Sequence, residues 1–204
     1  MSARYYDLQS LRDAIRGGAQ PEYIFFWRHT PKRSGVGKEC LSQWYPIRFE
    51  VDGRGFTTAE HYMMYHKAIL FGDNETAERI LGAADPRAAK ALGRSTRGFT
   101  DEIWDANRFG IVVNGNHAKF TQNPLLRAFL LATHPRIIVE ASPQDRIWGI
   151  GLAADSEDAA DPFAWRGLNL LGFALMVVRD RLIAETPPYG DVQPSTAVET
   201  TDQR

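Results

Sequence analysis

The chain has 204 residues, 44% hydrophobic and 24% charged, with a formal net charge of −1 and a single cysteine. That length suits one domain with appendages at most, and the near-neutral balance argues against a broad basic face that holds nucleic acid by charge alone, though not against a pocket that reads one nucleotide. Cys40 by itself excludes an internal disulfide and a thiolate zinc cluster. No stretch reaches the ~20 apolar residues of a membrane span, and Met1–Asp7 lacks the apolar segment of a secretory leader, so a reduced, cytoplasmic compartment is expected.

Residues 4–16 read as a short helix that closes before Gly17-Gly18, within an N-terminal extension over 1–22. The aromatic and β-branched run Tyr23 to Trp27 reads as a buried strand. A polar loop follows from Arg28 to Glu39, long enough in a compact domain to suggest function rather than filler. Ile47 to Val51 alternates apolar and polar, and Asp52-Gly53 supplies the turn of a hairpin into Phe56.

Helical signals then dominate. Thr57 and Glu60 make a T-x-x-E capping box for a helix through Leu70. Asp73 or Asn74 caps a second helix through Ala83, and Asp85-Pro86 opens a third that stops near Gly93. Thr100 opens a fourth, Asn123-Pro124 a fifth through Ala132, and Leu168 to Ala184 a last one. Arg136 to Glu140 reads as a strand, and the acidic, small-residue segment Ala153–Asp161 as a flexible surface insertion. From Glu185 onward the chain has too few large apolar residues to offset its ordering entropy, so 185–204 is expected to be disordered. The fold class is α+β, helix-dominated, with a small sheet or hairpin.

Candidate chemistry gathers at element ends. Glu60 and Lys67 return to one helix face with a rise of about 10 Å, room for a sugar-sized group. Glu60 is equally explained as a capping-box acid, and Lys67 as a solvated helix lysine. Asp145 follows a strand in a loop closed by Trp148 and Gly149-Ile150-Gly151; a catalytic carboxylate on a positioned loop and an Asx turn are both consistent. The glycines would let backbone amides approach a phosphate. Trp44, Trp148 and Trp165 lie beside loop residues and offer stacking faces or core plugs. Arg28, Arg94 and Lys119 would pair with phosphates or stay solvated. His61 and His66 lack the spacing of a zinc helix, and no P-loop, dinucleotide fingerprint or G-x-S-x-G elbow is present.

Taken together, the ordered strings Phe25-Phe26-Trp27, Leu41-Ser42-Gln43-Trp44-Tyr45-Pro46, Glu60-His61-Tyr62 to Lys67, Ala89-Lys90-Ala91-Leu92-Gly93-Arg94, Lys119 to Pro124, Glu140 to Gly151 and Asn169 to Arg179 resemble the NADAR (YbiA-like) family over about residues 23–182, with the domain placed at 23–184. Gln43 and Trp44 stand where the family usually has Asn and Phe, and Met63-Met64 where it has Phe-Gln. The resemblance implies an N-glycosidase acting on ribosylated nitrogens, with no metal or redox cofactor. Its substrates would be ADP-ribosylated guanine in nucleic acid (single-stranded DNA among them) or nucleotides, paired with a DNA ADP-ribosyltransferase; the alternative substrates are early riboflavin-synthesis intermediates. A reading of another class is a catalytically silent module that binds ADP-ribose or NAD. For breaking such a bond, Glu60 is assigned general acid/base work, Lys67 covalent catalysis or positioning, and Asp145 the second acidic role. Trp44, Trp148 and Tyr62 border base and sugar, while Arg28, Arg94, Lys119, Asn169 and the Gly149 backbone hold phosphate or hydroxyls.

Overall fold

Two strands more than a hundred residues apart in sequence lie side by side in the computed structural model, which describes residues 5–33 and 35–185. Strand β1 (Tyr23–Phe26) pairs in parallel with β4 (Ile137–Glu140), from Tyr23 opposite Ile137 to Phe26 opposite Glu140. Parallel strands covered on both faces read as continuous apolar runs, and Ile137, Ile138 and Val139 are all buried. The pattern breaks at Glu140, where β4 ends. Both strands therefore release their loops at the same edge. In open parallel sheets this carboxyl edge is where ligands bind.

The crossover between them is long and mostly helical. It begins with a 3₁₀ turn (Lys38–Leu41) and the hairpin of β2 (Phe49–Val51) and β3 (Arg54–Phe56). Asp52 and Gly53 both take positive φ, 51° and 72°, as the two central positions of a type I′ turn require. Helices α2 (Ala59–Leu70), α3 (Asn74–Leu81), α4 (Pro86–Arg94), α5 (Asp101–Thr121) and α6 (Pro124–Ala132) follow. Helix α2 is buried almost all round because α3, α4, α5 and β3 surround it. The last helix, α7 (Leu170–Glu185), packs on β4 and α5. Helix α1 (Leu8–Arg16) starts at an Asp7 cap and buries Leu11 completely. The result is one α+β domain in which helices dominate. Among the described residues no helix is long and apolar enough to cross a membrane. The expected disordered tail lies outside the described residues, apart from Glu185, which ends α7.

Two expectations are corrected. The cap of α2 is Thr58, not Thr57: its side chain accepts from His61 N at 3.3 Å. Glu60 therefore stands one place too early for a capping box, and its backbone N–H goes instead to Gln43 O at 3.0 Å. Its carboxyl is free for other use. Thr58→Ala is expected to cost about 1 kcal/mol, a Tm drop of about 2–4 °C for a domain of this size, while Thr57→Ala stays within about 0.5 kcal/mol; thermal melts compare them. The acidic segment is also structured rather than loose. It forms a 3₁₀ turn (Glu157–Ala160), buries Ala159, and gives the Ala159 carbonyl to Trp165 Nε1 at 2.8 Å.

Candidate active site

The loops leaving β1 and β4 open on a cavity of about 810 Å³. Trp27, Arg28 and His29 come from the end of β1, and Glu140, Ser142, Gln144 and Asp145 from the end of β4. Helix α4 adds Arg87, Lys90 and Arg94, and the loop after the first 3₁₀ turn adds Ser42 and Trp44. Four separate chain segments thus meet at one sheet edge.

Three carboxyls define its chemistry. Glu60 is 2% exposed and Glu140 is half-buried, yet Glu60 Oε1 and Glu140 Oε2 are both sealed from solvent without a hydrogen-bond partner. Such groups resist ionisation. Burial lifts the Glu60 carboxyl to about 7, opposed by the Lys90 charge and by a hydrogen bond from Trp44, while Asp145 adds to the rise. Burial lifts Glu140 to about 8, reinforced by Asp145 and Glu60 and opposed by Lys90. Burial thus keeps both carboxyls protonated well above the ordinary carboxylate range. Asp145 is fixed differently. Its Oδ1 accepts from Ile147 N at 2.9 Å and Trp148 N at 2.7 Å, so it forms an Asx turn and lines the cavity at once. A proton donor beside a separately held carboxylate is the equipment for acid-assisted cleavage of a sugar bond. Among the described residues no three His, Cys, Asp or Glu side chains converge to hold a metal ion.

Supporting contacts set these groups in place. Asn169, fully buried with φ 54°, accepts from Glu140 N at 2.9 Å through Oδ1 and donates to Ile138 O at 2.9 Å through Nδ2. It clamps the end of β4. Lys119, also fully buried, donates to Cys40 O at 2.7 Å and Ser42 O at 2.9 Å, and burial lowers its amine to about 7. Asn116 donates to Gln43 Oε1 at 2.8 Å, and Gln43 O receives Glu60 N. The loop of Ser42 and Trp44 is thereby held by α5 on one side and tied to the start of α2 on the other.

The residues singled out in the sequence therefore separate. Arg28, Trp44, Arg94 and Asp145 line the cavity, and Glu60 lies behind Trp44 in electrical contact with Asp145, Lys90 and Arg94. Lys119 and Asn169 support the site from buried positions rather than facing it. Tyr62 is packed 5.1 Å from Phe56 and 4.1 Å from His66, ring to ring, on the hairpin side of α2, away from the cavity lining. Gly149 is a packing position: a Cβ there would lie 2.8 Å from Glu140 O. Trp148 contributes its backbone N–H to Asp145, and its half-buried ring rests on the core. Lys67 is half-buried with Nζ 4.0 Å above the Phe99 ring and 5.5 Å from Trp104, and burial lowers its amine below the ordinary lysine range. It borders Arg94 electrically but is not among the residues lining the cavity.

Glu140 and Lys90 were not among the sequence candidates. Both stood inside quoted strings, one opening Glu140 to Gly151 and the other within Ala89 to Arg94. Each reads alone as an ordinary strand-end acid or helix lysine.

Comparison with known proteins agrees with this architecture. Residues 25–183 match the NADAR domain. N-glycosidase R617 of Acanthamoeba polyphaga mimivirus is 43% identical over 164 residues, 78% of this chain and 95% of that protein. N-glycosidase YbiA of Escherichia coli strain K12 is 33% identical over 141 residues, 69% of this chain and 78% of YbiA. The NMR structure of E. coli YbiA superposes with a TM-score of 0.64 at 27% identity, covering 85% of this chain and 92% of that one. The chloroplastic riboflavin biosynthesis protein PYRR of Zea mays is 31% identical over 143 residues, 66% of this chain but 21% of that protein. The chain belongs to the NADAR family.

Proposed function

We propose that the chain is an N-glycosidase that hydrolyses a ribose C1–nitrogen bond and removes ADP-ribose from guanine bases in nucleic acid or nucleotides. The observation that carries this reading is Glu140 on the wall of a cation-lined cavity, its Oε2 sealed from solvent without a partner and its carboxyl lifted to about 8, with Glu60 behind Trp44 lifted to about 7. As the C1–N bond lengthens, positive charge develops on C1 and the ring oxygen, and negative charge on the departing nitrogen. Glu140 gives its proton to that nitrogen. Asp145 faces the developing cation and takes a proton from the water that attacks C1. The products are the free base and a ribose bearing a C1 hydroxyl; Asp145 then releases to solvent the proton it took from water, and Glu140 regains one from solvent. Arg28, Arg87, Lys90 and Arg94 give the wall more cationic charge than one phosphate needs, which favours a diphosphate. Lys67, outside the lining, makes water rather than an amine the attacking group in this scheme. The substrate presupposes an ADP-ribosyltransferase that makes it.

The kinship with PYRR supports a second reading, a glycosidase of early riboflavin-synthesis intermediates. Product analysis separates the two. The protein is incubated in parallel with guanine-ADP-ribosylated single-stranded DNA and with a phosphoribosyl-aminopyrimidine, and products are resolved by chromatography. Release of ADP-ribose from the first substrate is expected. Turnover of the second alone would replace the proposal with the riboflavin reading, and tight ADP-ribose binding with neither turned over would leave a binding module.

A further inference from the structure

A second cavity of about 720 Å³ adjoins the one that holds the acids, and Trp27 and Arg28 line both. Phe25, Phe26 and Ala141 form its inner side, Lys32 and Lys38 supply positive charge, and Ala154 and Asp155 of the acidic segment close the far edge. None of Glu60, Glu140 and Asp145 lines it, so it takes no part in breaking the bond. Glu39 is committed locally, Oε1 accepting from Gly37 N at 2.9 Å. The shared Trp27 is 46% exposed, a large open indole at the partition between two cavities.

We propose that this second cavity is a nucleoside 5′-phosphate subsite that receives the distal, non-reacting half of a dinucleotide substrate. The inference rests on the glycosidase reading and deepens it by naming where the rest of the substrate goes. An exposed indole with Phe25 beside it offers a stacking surface for a planar base. Arg28, bordering both cavities, is placed for a diphosphate that passes from one to the other, where a guanidinium binds two oxygens at once. Lys32 and Lys38 add charge for the phosphate, and Asp155 offers an acceptor to an exocyclic amine of the base. The acidic segment thereby has a role, since its folded turn brings Asp155 to the rim.

The test is calorimetry on the full chain with ADP-ribose, ribose 5-phosphate and an unmodified single-stranded oligonucleotide as probes. Ala154→Trp fills the second cavity from residues that do not line the first, and a thermal melt establishes that the variant folds. Affinity for ADP-ribose is expected to fall about 10-fold or more, the loss of one stacked base, with ribose 5-phosphate binding as in the wild type. Lys38→Ala, which removes charge without filling space, should weaken ADP-ribose about 3-fold or more. Equal losses for both small probes, or none for ADP-ribose, would overturn the subsite. Oligonucleotide binding that is lost in Ala154→Trp would assign the cavity to a flanking nucleotide of the strand and overturn it too. Because the readout is binding, the subsite survives a failure of turnover. Conversely, guanine deribosylation with ADP-ribose binding indifferent to Ala154→Trp removes the subsite and leaves the glycosidase.

Discussion

Glu140→Gln is expected to lower kcat for release of ADP-ribose by about 10²–10⁴-fold, the contribution of a positioned general acid. The substitution is nearly isosteric, and Glu140 Oε2 has no hydrogen-bond partner to lose. A rate loss therefore reports the proton and not a collapsed site. Stability supplies the control. The folded carboxyl titrates at about 8, above its ordinary 4.5, so the protonated acid favours the folded state below pH 4.5 and that benefit is lost as pH rises through about 8. Above that pH the amide variant, which carries no charge to bury, should melt no lower than the wild type. Lys67→Ala provides the contrast. With Nζ held over Phe99 and outside the cavity lining, its removal should leave most of the activity, and borohydride should trap no substrate adduct on the wild-type protein. Near-total loss in Lys67→Ala together with a trapped adduct would instead make Lys67 the attacking group, forming a Schiff base with the opened ribose.

Gly172→Ala should destabilise the domain by about 3 kcal/mol or more, the upper end of overpacking costs, a Tm drop of roughly 6–12 °C for a chain of this length. A methyl group at this position of α7 would overlap the Ile138 carbonyl of β4 and lie 2.5–2.6 Å from both terminal atoms of Asn169. Neither neighbour can yield cheaply. Ile138 O belongs to a buried strand, and Asn169 uses both of those atoms to clamp that strand at Ile138 and Glu140. The damage therefore reaches the site. In the fraction that still folds at low temperature, kcat should fall as well, because Glu140 N has lost its acceptor. A melt unchanged from wild type would mean that α7 does not press on β4 as closely as described.

Elements with local signals were legible in the sequence, and their assembly was not. Asp52-Gly53 announced its hairpin, Asp85-Pro86 its helix start and Tyr23 to Phe26 its strand, because turn chemistry, proline at a first turn and β-branched runs act over a few residues. The pairing of β1 with β4 spans more than a hundred residues and depends on the packing of everything between them. Glu140 gains its meaning only from that pairing, which places it beside the β1 loop and across from α4. The cap of α2 was displaced by one residue because Thr57 and Thr58 offer the same hydroxyl, and tertiary contact decides between them. Lys119 looked like a phosphate ligand because a buried lysine and a solvated one are written alike; what distinguishes this one is a pair of carbonyls contributed from a loop seventy-odd residues earlier. Lys90 reads the same way, as one lysine on an amphipathic helix, and only the fold brings it to the cavity. Asp145, by contrast, makes the Asx turn its sequence allows, and that turn holds it at the cavity.

The pH dependence of kcat/KM on ADP-ribosylated guanine ties the buried acids to the reaction. A descending limb with an apparent midpoint between about 7 and 8 is expected for the wild type, as the Glu60–Glu140 system gives up its proton, and the limb should vanish in Glu140→Gln. A profile flat through that range, or the same limb persisting in the variant, would contradict Glu140 as the proton donor.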